Sequence, residues 1–151
     1  PHMMSFDGMA SVVKQFDVPL YSGFGEKWYK YQYPWGADGL ATPFGNFFPE
    51  YPRDVFLAPQ KNDNKKIDEL ISMMQPYYAF VGRCNAVRKD TGVLYKPGTA
   101  IYGEGNFRFG VVKAAMNLMG LHGGIMRLPL TGPTEKETAE LKEILKGLGL
   151  L

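Results

Sequence analysis

Val18-Pro19-Leu20-Tyr21-Ser22-Gly23-Phe24-Gly25-Glu26 and, a little further on, Gly36-Ala37-Asp38-Gly39-Leu40-Ala41-Thr42 decide how the rest of the chain is read. The first is a short apolar run ending in a glycine-rich loop, and the second is built of small and apolar residues; both predict buried strands. Between them, residues 26 to about 33 predict a helix that stops before Pro34, because the residue preceding a proline disfavours helical backbone. Strand, short helix, strand is the rhythm of a parallel βα unit, so the fold class is α/β.

Upstream of that unit, Asp7 precedes Met9, Val12, Val13 and Phe16, a spacing that puts one apolar stripe on a short helix with an acidic cap. Asp17 and Pro19 close it. Downstream, the strand signals end. One short helix is expected over residues 50–58, and a longer one over about 64–81 with Ile67, Leu70, Ile71, Met74 and Tyr78 on one face. Residues 90–106, rich in glycine and tyrosine, read as an irregular connection. Residues 107–119 resume a helix with Val111, Val112, Ala115, Leu118 and Met119 inward, ending at Gly120 as a left-handed cap. Thr134-Glu135-Lys136-Glu137 is a capping box, and Leu141, Ile144, Leu145 and Leu148 form the apolar face behind it. Two strands cannot close a sheet that helices cover only on its faces, so the architecture reads as incomplete.

Composition narrows the function classes. With 151 residues, 45% hydrophobic and 21% charged, the chain belongs among soluble globular domains. Its net charge of +2 comes from 17 basic and 15 acidic residues spread along the chain, which gives no basic stripe for nucleic acid or an anionic membrane. No apolar run approaches the roughly 18 residues of a spanning helix. The single cysteine, Cys84, excludes an internal disulfide framework and a cysteine-rich zinc site and fits a reducing cytoplasm; it reads as an inert thiol. Pro1-His2-Met3 reads as a cleavage and cloning scar, which leaves His122 alone. A multi-histidine metal site is then impossible within one chain, and a Ser-His-Asp triad has only His122 to use. Chemistry must come from lysine, carboxylate, hydroxyl or backbone groups.

Four stretches together resemble the dihydrodipicolinate synthase and N-acetylneuraminate lyase family, pyruvate-handling class I aldolases built on a (β/α)8 barrel with a helical C-terminal extension. Residues 20–26, Leu-Tyr-Ser-Gly-Phe-Gly-Glu, resemble the seventh barrel strand and its loop, and Gly36-Ala37-Asp38-Gly39 the approach to strand eight. Val112-Lys113-Ala114-Ala115-Met116 is similar to the penultimate helix. The run 120–130, Gly-Leu-His-Gly-Gly-Ile-Met-Arg-Leu-Pro-Leu, is similar to the family's glycine-rich turn followed by Arg-x-Pro-Leu. The resemblance covers nearly the whole chain and implies a partial TIM barrel, strands seven and eight, over residues 4–58 and a helical C-terminal extension over 59–151.

In that family the substrate carbonyl condenses with a lysine at the end of strand six, which needs a lowered pKa in a dry pocket. The pattern runs lysine, any residue, Ser or Thr; with Ser5 as the hydroxyl, the lysine falls at Met3. The resemblance therefore implies no catalytic residue in this chain, no metal and no cofactor, and inactivity of the chain alone. It implies pyruvate or a 2-oxo acid as ligand of the parent enzyme. Partners are expected to be a second copy of the chain or a complementary N-terminal half, without nucleic acid or membrane. Ser5, Gly23, Ala41 and Thr42 would face the ligand from the carboxyl ends of strands, where such barrels place their sites. Glu26 matches a position that binds a sugar hydroxyl in the sialic-acid branch, but Gly25 replaces the neighbouring acid, and Pro43-Phe44-Gly45-Asn46 departs from the usual polar continuation of strand eight. The other reading is a non-catalytic half-barrel that binds or assembles with another chain.

Blander readings stand beside these. Glu26 is either a substrate contact or a solvated first-turn residue favoured at a helix N-terminus. Lys113 is expected to lay its stem over apolar surface with its head in water, rather than to replace the missing lysine. Arg127 is expected to tie the last two helices together, and His122 to be an exposed loop residue. Trp28, Tyr29, Tyr31, Tyr33 and Trp35 are read as barrel-helix packing or an oligomer contact rather than a nucleic-acid stacking platform. Gly103-Glu104-Gly105-Asn106 lacks a preceding strand and a third glycine, so it is no dinucleotide loop.

Overall fold

The strand pair forms as the sequence predicts, though only two residues long on each side. β1 (Tyr21–Ser22) and β2 (Gly39–Leu40) pair in parallel, Tyr21 opposite Gly39 and Ser22 opposite Leu40, in a computed structural model that describes residues 3–23, 25–89, 107–127 and 130–151, the side chains at 3–5 and 87–89 excepted. Asp38 extends the ladder: its N–H donates to the Leu20 carbonyl at 2.7 Å, and its carboxylate accepts from the Leu20 N–H at 2.7 Å. On the other side the Ala41 N–H donates to the Ser22 carbonyl at 2.8 Å. The expected fully buried strands are not found. Tyr21 is 61% exposed while Ser22 is buried, because side chains alternate across a strand and only one face of this pair is covered. The Tyr21 ring lies over Gly39, where a β-carbon would come within 2.6 Å of it.

The described residues divide into two compact units, Pro1–Ser72 and Met73–Leu151. In the first, α2 (Glu26–Gln32) is the hub, packing on both strands, on α1 (Met3–Val13) and on α3 (Glu50–Gln60). Its buried positions are Glu26, Tyr29 and Gln32, so the inward face is polar as well as aromatic. Tyr29 rests against Phe56 with ring centroids 6.1 Å apart, and Phe44 meets Tyr51 edge to face at 5.3 Å. Val55 and Ile67 complete a core in which each fully buried aliphatic side chain contributes about 1.5–3 kcal/mol. Lys30 reaches from α2 to Asp68 on α4 (Asn64–Met73), a hydrogen-bonded ion pair that raises the Lys30 pKa above its ordinary value.

Two helix expectations are corrected here. The first helix starts at Met3, so Asp7 lies inside it and its carboxylate accepts the Gly8 N–H at 2.7 Å rather than capping the helix end. Its buried residues are Phe6 and Ala10, one turn apart, whereas Met9, Val12 and Phe16 of the expected inward stripe are exposed. The helix tightens over Lys14–Phe16 and ends at Asp17 with φ 52°.

The second unit packs α5 (Gln75–Lys89), α6 (Phe107–Leu118) and α7 (Glu135–Gly147) against one another. The single helix expected over 64–81 is two helices broken at Met74, because Pro76 has no N–H to give and its ring collides with the carbonyl four residues back. Val81, Val111, Ala115, Leu141 and Leu145 are buried in the second unit. Gly120 takes φ +76°, the expected left-handed cap, and Thr134 makes both bonds of the capping box with Glu137. The irregular connection expected over 90–106, with its Gly103-Glu104-Gly105-Asn106, lies outside the described residues.

Candidate functional site

Where β1 and β2 end, the chain places Ser22, Gly23, Glu26, Ala41 and Thr42 together. Gly25, with φ +77°, turns the backbone from β1 into α2, and Glu26 is the first residue of that helix. Glu26 is only 2% exposed, which overturns the solvated first-turn reading. Its Oε1 accepts from the Thr42 hydroxyl, so the two predicted contact residues meet across the strand pair. The Thr42 Oγ1 in turn accepts the Phe44 N–H at 3.2 Å, which holds the hydroxyl in place after β2. A buried carboxylate whose neighbour is a fixed hydroxyl is an acceptor pair suited to ligand hydroxyl or amide protons.

Gly23 and Ala41 are the exposed residues that follow the paired positions Ser22 and Leu40. Nothing lies within 4 Å of a β-carbon built at Gly23, so open space adjoins it. The Ser5 side chain lies outside the described residues, as do Phe24, Leu128 and Pro129. Sequence reasoning missed Ser22, whose Oγ is fully buried and has no hydrogen-bond partner among the described residues. Strand alternation was the available signal: with Gly23 on the open side, Ser22 must face the helices. Of the aromatic cluster, Tyr29 follows the packing reading. It is fully buried, and burial, reinforced by Tyr33 and Asp38, pushes its pKa up to about 12.

The remaining candidates separate from this site. The Lys113 Nζ donates to the Gly123 carbonyl at 2.8 Å. Asn117 Oδ1 accepts from the Gly123 and Gly124 N–H groups at 3.0 and 3.1 Å, so α6 clamps the glycine-rich turn from two positions. Arg127 is exposed and its side chain makes no hydrogen bond among the described residues, so the tie between the last two helices expected of it is not found. His122 is exposed, as expected. Trp28, Tyr31 and Trp35 are exposed among the described residues. Among the described residues no cluster of three metal-ligating side chains occurs, and no helix is long and apolar enough to cross a membrane.

A parallel strand pair with a helix packed on it is an α/β arrangement. Comparison with solved structures gives the same class. The chain superposes over 99% of its length on dihydrodipicolinate synthase from Oceanobacillus iheyensis, with TM-score 0.74 and 24% identity. It superposes over its full length on the synthase from Thermotoga maritima, with TM-score 0.67 and 26% identity, and equally on a monomeric dihydrodipicolinate synthase variant at TM-score 0.68 and 26% identity. It is 60% identical over 40 residues, 26% of the chain, to 4-hydroxy-tetrahydrodipicolinate synthase of Acetivibrio thermocellus. Over 114 residues, 75% of the chain, it is 32% identical to a probable 5-dehydro-4-deoxyglucarate dehydratase of a Bradyrhizobium strain. No family profile matches the chain. The chain is similar to proteins of the dihydrodipicolinate synthase family along its length and spans only part of them: 43–44% of the solved chains and 14–30% of those curated relatives.

Proposed function

We propose that this chain supplies the C-terminal part of a pyruvate-dependent lyase or dehydratase of the class I aldolase type. On this reading residues 4–58 give barrel strands seven and eight with their helices, and residues 59–151 give the helical extension. The Schiff-base lysine comes from strand six, outside the pattern this chain carries, so the chain alone is inactive. Pyruvate or another 2-oxo acid binds the completed site. The observation that carries the proposal is the Glu26–Thr42 pair at the carboxyl end of the strands, where a barrel enzyme holds its ligand.

Within such a site each residue has a task it can perform. Glu26 accepts hydrogen bonds from ligand hydroxyls, and the Thr42 hydroxyl, donating to it, fixes the carboxylate's orientation. Gly23 and Ala41, small and exposed, leave room for a ligand backbone beside them. The chain's relatives include proteins named as a synthase and as a probable dehydratase, and on this reading both chemistries begin from the same imine. The assembly partner is a chain carrying the complementary N-terminal portion, or a second copy of this one; the alternative of a purely structural half-barrel rests on the two open sheet edges.

The test is complementation. The chain is co-expressed with the strand one to strand six portion of a dihydrodipicolinate synthase, and imine formation is read by borohydride trapping of pyruvate. The reading expects trapping on the added portion's lysine. It also expects lyase or dehydratase turnover to fall about tenfold or more in Glu26→Gln and in Thr42→Val. A folded complex that never traps pyruvate contradicts it, and so does turnover indifferent to both substitutions.

A further inference from the structure

The second unit carries an open groove of about 540 Å3, formed by α6, the turn at 124–126, residues 130–133 and Thr138 of α7. None of the chemistry above uses it. Its volume falls in the range of small-molecule sites, roughly 300–1,000 Å3. Leu118, Ile125 and Met126 line it with apolar surface, and Ile125 is 87% exposed there.

One charge faces this surface. Lys113 lines the groove, and one of its three ammonium protons goes to the Gly123 carbonyl. The other two have no acceptor among the described residues, and no aspartate or glutamate lines the groove. Its remaining polar side chains are neutral. A single cation beside an apolar wall, without a protein anion to neutralise it, complements a ligand with one negative end and an alkyl body. Inorganic anions would leave the apolar wall unused, and a cationic amphiphile would meet Lys113 with like charge.

We propose that this groove binds an aliphatic monocarboxylate, its carboxylate on the Lys113 ammonium and its chain along Leu118, Ile125 and Met126. The probe is octanoate, titrated into the 151-residue chain by calorimetry, with octylammonium and sodium sulfate as comparisons. Two variants separate the site from the fold. Lys113→Met removes the charge and keeps the stem. Gly132→Leu fills the groove, since a β-carbon at Gly132 meets nothing within 4 Å, and it leaves the Lys113–Gly123 bond untouched. The expected result is saturable one-to-one octanoate binding, weakened about tenfold or more by Lys113→Met, abolished by Gly132→Leu and restored by Lys113→Arg; neither comparison ligand saturates. Absence of saturable octanoate binding overturns the proposal. Equal affinity for octylammonium, or octanoate affinity unchanged in Gly132→Leu, overturns it as well. If Lys113→Met does not fold, the octanoate against octylammonium contrast and the Gly132→Leu titration still decide.

Discussion

Tyr29 and Gly123 carry more structural constraint than their residue types announce. The Tyr29 hydroxyl is buried without a hydrogen-bond partner among the described residues, and its pKa is raised to about 12. An unfolded tyrosine ionises near pH 10, so between about pH 10 and 12 the unfolded state sheds this proton while the folded state keeps it. Stability is therefore unaffected by this ionisation below pH 10 and falls as the pH rises from 10 through about 12. Tyr29→Phe removes an unsatisfied buried oxygen, and urea unfolding is expected to show stability at pH 7 unchanged or raised, with a shallower alkaline decline than the parent chain. An equally steep decline would locate the alkaline sensitivity elsewhere. At Gly123 a β-carbon would stand 2.2 Å from the Lys113 carbonyl oxygen, so Gly123→Ala forces the clamped turn off α6 and is expected to cost about 1–3 kcal/mol in the same assay. None of this was legible in sequence. Glu26 and Thr42 were each expected as site residues from the resemblance, but their hydrogen bond to one another depends on the strand register, which residue types do not specify.

At the scale of elements, local signals worked where they had local causes. The capping box at Thr134 and the left-handed Gly120 are set by residues within one turn, and both formed as the sequence requires. Thr134→Ala is accordingly expected to lower stability by about 1 kcal/mol, read from the chemical denaturation midpoint. Periodicity alone was less reliable. α1 has two apolar faces, Phe6 with Ala10 and Met9 with Val12 and Phe16, and only its contact with α2 decides which is buried. The 64–81 pattern ran through Pro76 because apolar spacing continued across the break, while the proline's missing N–H and ring volume divide the segment at Met74. Exposed Trp28, Tyr31 and Trp35 follow the same lesson, since an amphipathic pattern reports a face that wants covering and not what covers it.

For the molecule as a whole, the α/β class and the family were legible because they rest on the order of four stretches along the chain, which does not depend on any single boundary. What the order cannot convey is how the two-stranded sheet is completed. Its edges are open and its Tyr21 face is uncovered among the described residues, so the free chain is expected to self-associate, with a light-scattering mass above 16.9 kDa that rises with concentration. A mass constant at the monomer value would mean that the edges are protected. The central claim is that this chain shapes a pyruvate site without supplying its nucleophile. Intact mass spectrometry of the chain alone, after incubation with pyruvate and borohydride, tests it most directly. The account predicts an unchanged mass; a reduced pyruvyl adduct on one lysine of this chain would contradict it.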